Sequence, residues 1–96
     1  EHASDDDAAP HAARGYALRL LGRNGDARKA LDRALDRDSV HFGARVNHGI
    51  IMLAERRLDD AGHDAEVLMR IAPDRINGFA LAGFVALAQG RCAEVV

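Results

Sequence analysis

Apolar residues return along this chain with the period of a helix. Ala27, Ala30, Leu31, Ala34 and Leu35 follow the i, i+3, i+4, i+7, i+8 spacing, while Arg28, Lys29, Asp32, Arg33 and Asp36 take the other side. Such a segment is an amphipathic helix that buries one stripe. Ala61, Ala65, Leu68, Met69 and Ala72 repeat the pattern, and Pro73 stands where that helix should stop, because proline drives the residue before it out of helical geometry. Val46, Ile50, Ile51, Met52 and Leu53 are too many for one narrow stripe, so their helix is expected to touch several neighbours. Pro10, just behind Asp7, is expected to open the first helix, since proline is tolerated in a first turn and an aspartate before it is a capping residue. The pattern predicts five helices, at about 9–21, 25–37, 43–55, 59–71 and 76–89.

Sliding the sequence against itself shows a repeat of 34 residues. Gly15, Gly49 and Gly83 share one row, Arg23, Arg57 and Arg91 another, and Tyr16, Ile50 and Phe84 a third. Gly22 returns as Gly90, Ala27 as Ala61, Ala34 as Leu68 and Leu35 as Met69. A fixed period of this length is the mark of stacked supersecondary units. The chain divides into an acidic start, 1–7, and a repeat domain, 8–96, made of 8–41, 42–75 and a partial unit, 76–96. A glycine within a helix costs about 0.5–1 kcal/mol relative to alanine, so the glycine row needs a reason. Close approach of the paired helix supplies one, and the reading places Gly49 against Ala61 at the tightest crossing of the second unit. The absence of an initial methionine and the abrupt end at Val96 are read as those of a piece of a longer chain. On that reading Phe79, Gly83 and Ala86 are left poorly covered, and the C-terminal end is a place for self-association.

A 34-residue helix-turn-helix unit with Gly in the first helix, Gly at its end, Ala in the second helix and Pro at the close resembles the tetratricopeptide repeat. The second unit matches best, through Asn47, Gly49, the run Arg57-Leu58-Asp59-Asp60-Ala61, and Pro73. The resemblance covers residues 8–96. Ser39 stands where the first unit would have its proline, Arg56 replaces the turn glycine of the second, and the large aromatic early in the first helix is present only as Phe79. The resemblance implies an all-α fold, a right-handed α-solenoid of antiparallel helix pairs with about two and a half repeats. It also implies a concave face, lined by the first helix of each pair, that receives a peptide or a partner's helix. One subgroup of the family clamps a C-terminal carboxylate with Lys, Arg and Asn. Asn47 matches one asparagine of that clamp, but Ala12, Tyr16, Asn77 and Leu81 take the other places, so this specialised activity is not expected.

Composition narrows the partners further. Thirteen Lys and Arg stand against fifteen Asp and Glu, a net charge of -2, which lacks the positive field that nucleic acid or an anionic membrane requires. No run of eighteen apolar residues is present to span a bilayer. Cys92 is the sole cysteine, which excludes an internal disulfide and leaves the compartment open, with the cytoplasm as the default. Arg outnumbers Lys twelve to one beside abundant Ala, a usage pointing to a GC-rich, bacterial genome. His2, His11, His41, His48 and His63 share no metal-ligand spacing, and Cys92 has no partner residue for nucleophilic chemistry. No G-x-S-x-G, phosphate loop or paired acid/base motif occurs, so neither an enzyme nor a cofactor is expected in this segment. The acidic start is read as a solvated terminus. The arginine row is read as solvated turn residues, with selection of acidic partners as the alternative.

The functional expectation rests on the row Tyr16, Ile50, Phe84. In the repeat geometry these face the concave groove, with Ala12, Val46 and Ala80 one turn earlier, Leu53 and Leu87 one turn later, and Asn47 beside them. Ala54 and Ala88, with Ala12 and Ala80, leave room between rungs. An apolar groove marks a protein or peptide site, although the same surface also serves for stacking further repeats. The expectation is therefore a scaffold that binds a partner segment; the alternative is a segment that positions substrate within a larger enzyme or secretion protein.

Overall fold

A computed structural model describes residues 7–90. Its helices are α1 (Ala8–Leu20), α2 (Asn24–Arg37), α3 (Phe42–Ala54), α4 (Leu58–Ile71) and α5 (Ile76–Ala88), with no strand among the described residues. The connections are too short for anything but a reversal of direction, so consecutive helices pack side by side. Each expected stripe is a buried face. Ala27, Leu31 and Ala34 from α2 and Ala61, Ala65 and Leu68 from α4 belong to one core, joined by Ala44, Ile51 and Met52 of α3 between them. The broad apolar surface of α3 is explained by its neighbours, since it packs against α1, α2, α4 and α5.

The repeat extends to the turns. At the end of α1, Gly22 has φ +80°, its N–H donates to the Arg19 carbonyl, and the Arg23 N–H donates to the Leu18 carbonyl. This pair of bonds satisfies carbonyls that the helix end would otherwise leave orphaned. Thirty-four residues on, Arg56 takes the same conformation at φ +61°, its N–H donates to Leu53, and the Arg57 N–H donates to Met52. Gly90, at φ +74°, takes the same conformation at the end of α5, its N–H donating to the Leu87 carbonyl. The closes of α2 and α4 also correspond, with the carbonyls of Asp38 and Ala72 accepting from the His41 and Arg75 N–H groups.

Arg56 is therefore an L-residue held where its counterparts are glycine. A left-handed conformation costs such a residue about 1–2 kcal/mol, against which stands one exposed bond of 3.3 Å from Arg56 Nη2 to the Ala88 carbonyl. Arg56→Gly is expected to stabilise the protein by about 1 kcal/mol. A denaturant titration should show a higher midpoint at unchanged slope, and a lower midpoint would contradict this account of the turn.

The structure departs from the expected packing in three places. Pro10 is the third residue of α1, not its first, which costs no hydrogen bond because the opening N–H groups of a helix have no internal acceptor. Asp7 is the N-cap residue but accepts no capping bond through its side chain. The closest approach to Gly49 is not Ala61: a side chain at Gly49 would collide with Leu81 Cδ2 and stand 3.2 Å from Asp64 Cβ. Ala61 is buried one turn away, within the core. Gly83 has nothing within 4 Å of where its side chain would be, and Phe79 is 54% exposed.

Candidate partner groove

Alternate helices α3 and α5 lie side by side, and each turns an apolar stripe toward the furrow between them. From α3 come Val46, Ile50 and Leu53, at i, i+4 and i+7. From α5 come Ile76, Ala80 and Phe84, at i, i+4 and i+8, with Leu81 behind them and Leu68 of α4 at the base. The furrow encloses about 170 Å³, and Asn77 is the one polar residue in its lining. Ile50, Ile76 and Phe84 are 37%, 76% and 57% exposed. In a chain with 29% charged residues, a lining free of charge stands out.

The structure brings Val46, Ile50, Leu53, Ala80 and Phe84 together but sets the other expected residues apart. Tyr16 is exposed on α1 outside this groove, with the Arg19 guanidinium 5.6 Å from its ring centroid. Arg19 Nε also donates to Asn47 Oδ1 at 2.7 Å, and Asn47 Nδ2 donates to the Gly43 carbonyl at 2.8 Å. Asn47 is thus buried and occupied within the fold, and it offers nothing to a partner. Ala12 is buried as well. Leu87 is exposed but does not line the furrow.

Repeat equivalence explains why the row Tyr16, Ile50, Phe84 lines the groove only from Ile50 onward. Positions 34 residues beyond Arg19 and Asn47 are Leu53 and Leu81. A polar pair ties α1 to α3, and two leucines occupy the same places between α3 and α5. The first junction is closed by hydrogen bonds and the second stays apolar. Ile76, Leu68 and Leu81 were not expected in the groove; the exchange of Asn47 for Leu81 at one repeat position was the available signal.

The most deeply buried polar residue lies behind this groove. Asp64 is fully buried on the apolar stripe of α4. Arg45 Nη1 donates to its Oδ1 at 2.7 Å, and His48 Nδ1 lies 2.6 Å from its Oδ2. His48 Nε2 in turn lies 3.4 Å from Asp32 Oδ1 of α2, and Arg45 Nε donates to the Ser39 carbonyl at 2.8 Å. A carboxylate with no access to solvent meets no substrate, so the network serves to hold α2, α3 and α4 together. An acid at the i+3 place of the stripe Ala61, Ala65, Leu68 was the sequence signal for it. Its repeat counterpart is Ala30, so it belongs to the second helix pair alone.

The arginine row has a local role. Arg23 pairs with Asp26 at 2.6 Å and Arg57 with Asp60 at 2.9 Å, each joining the residue before a helix to an acid in its first turn. Arg91, Cys92, His2 and the acidic residues Glu1, Asp5 and Asp6 lie outside the described residues. No described helix is long and apolar enough to cross a membrane. Comparison with known families, curated proteins and solved structures finds no match to this chain.

Proposed function

We propose that the chain is an array of tetratricopeptide-type helix pairs, a right-handed α-solenoid, that holds the apolar face of a partner protein's helix or peptide between α3 and α5. The observation that carries the reading is the uncharged groove, in which Ile50, Ile76 and Phe84 remain exposed. Its size also bears on the class of ligand. At about 170 Å³ it falls below the roughly 300–1,000 Å³ usual for small-molecule sites. It suits side chains inserted from a longer segment. Two stripes at i, i+4 and i+7 or i+8 suit a helix with its own anchors at i, i+3 or i+4, and i+7. The array reading is supported by turns and caps that recur at 34 residues, Gly22, Arg56 and Gly90 among them.

Panning a displayed library of helical peptides on the protein tests this proposal. Enriched sequences are expected to carry apolar anchors at helical spacing. Ile50→Glu places a charge in the groove, away from the core residues Ile51 and Met52. It should leave the circular dichroism spectrum unchanged and weaken the selected peptides at least about tenfold, or 1.4 kcal/mol. A folded Ile50→Glu protein with undiminished affinity would place binding elsewhere.

A further inference from the structure

A second surface, bordered by α1 and α2, carries charge rather than apolar area. Arg14 and Leu18 of α1 and Lys29, Ala30 and Arg33 of α2 border a cleft of about 300 Å³, with the Arg23–Asp26 pair at one end. Four cations against one carboxylate leave this cleft net positive on a chain whose own charge is -2. Basic side chains elsewhere are mostly engaged: Arg19 with Asn47, Arg28 with Glu55, Arg45 with Asp64 and Arg57 with Asp60. Among the described residues Arg14, Lys29, Arg33 and Arg70 make no hydrogen bond, ion pair or ring contact, and three of these four border the cleft.

The repeat identifies what fits there. Residues 34 beyond Arg14, Leu18 and Leu21 are His48, Met52 and Glu55. His48 and Met52 of α3 and Glu55 just past its end form the side turned to α2, where His48 faces Asp32 and Glu55 pairs with Arg28, while Met52 is fully buried. The occupant of the equivalent face in the second pair is thus a helix that presents a carboxylate. At the end of α1 Leu21 is 72% exposed, Leu18 is covered in part by the core, and Arg14 stands at the repeat position where His48 meets its carboxylate.

We infer that the face formed by α1 and the cationic edge of α2 is a docking site for an acidic amphipathic helix of a partner protein. Carboxylates of that helix meet Arg14, Lys29 and Arg33, and its apolar residues cover Leu18 and Leu21. This inference does not rest on the α3/α5 groove, since the two surfaces share no lining residue.

The probe is a helix-stapled peptide of the α2 sequence, residues 24–37, with Arg28→Leu to sit over Leu21 and with Lys29→Glu and Arg33→Glu to supply carboxylates. Titrated by fluorescence anisotropy, it should bind the wild-type protein and lose at least about tenfold in affinity to Arg14→Glu/Arg33→Glu, whose side chains have no partner to lose. Raising the salt concentration should weaken it, as exposed ion pairs require, and Ile50→Glu should leave it unchanged. Amide chemical-shift mapping on the wild-type protein is independent of how the variant folds and should place the peptide at Arg14, Leu18, Leu21 and Arg33. Absence of binding, equal affinity for the double variant, or mapping to α3 and α5 would overturn the proposal. So would tighter binding of inorganic tripolyphosphate or a short oligonucleotide at the same residues, which would make the cleft a simple anion or nucleic-acid site.

Discussion

Asp64→Ala is expected to destabilise the protein by about 3–5 kcal/mol, the usual loss when one member of a buried ion pair is removed. Its side chain is only 1% exposed, and the partners it would abandon, Arg45 and His48, are 13% and 15% exposed. Neither reaches enough water to replace the lost carboxylate. For a domain of this size such a loss lowers the melting temperature by more than about 12 °C. The network is a local solution, not a demand of the fold, because the first pair has Ala30, His11 and Arg14 in the corresponding places. Asp64→Ala combined with Arg45→Leu and His48→Leu should therefore recover most of the stability, as apolar replacement of whole buried networks does elsewhere. Calorimetry of the single and triple variants distinguishes the cases. A single variant melting within a few degrees of wild type would show that the carboxylate is not holding α3 and α4.

Gly78→Ala is expected to destabilise the protein by about 1–3 kcal/mol through overpacking, although alanine is the better helix former. Its new methyl would lie 2.8 Å from the Met69 backbone nitrogen and 3.1 Å from Leu68 Cβ. A backbone atom cannot turn aside, so α5 must lift away from α4. Gly62→Ala provides the opposite sign within the neighbouring helix: nothing lies within 4 Å of its new methyl. The gain there is about 0.5–1 kcal/mol from helix propensity alone. Chemical denaturation of both variants should move the midpoint in opposite directions. Equal shifts of the same sign would mean that the spacing of α4 and α5 is not set at Gly78.

What the sequence made legible follows from how local each signal was. Helix positions were readable because Ala27 to Leu35 and Ala61 to Ala72 carry a buried stripe within one segment, and turn residues such as Gly22 and Pro73 punctuate it. The partner of a glycine was not, since it depends on how two helices cross. Small size pairs Gly49 with Ala61, whereas Leu81 reaches it from α5 and Asp64 from the next turn of α4. Two of the three residues in the row Tyr16, Ile50, Phe84 were readable as groove residues by equivalence alone. Tyr16 shares a repeat position with Ile50 and Phe84, but the side chains around it do not repeat, and Arg19 with Asn47 closes the junction that Leu53 with Leu81 leaves apolar. A period places backbones; the individual side chains decide whether a groove remains between them.

The measurement that bears most directly on the proposed function is amide chemical-shift mapping of a peptide selected by panning, titrated into the isotope-labelled protein. The account predicts the largest shifts at Val46, Ile50 and Leu53 and at Ala80 and Phe84, with loss of the response in Ile50→Glu. Shifts confined to the turn arginines Arg23 and Arg57, or to the outer faces of α2 and α4, would contradict it.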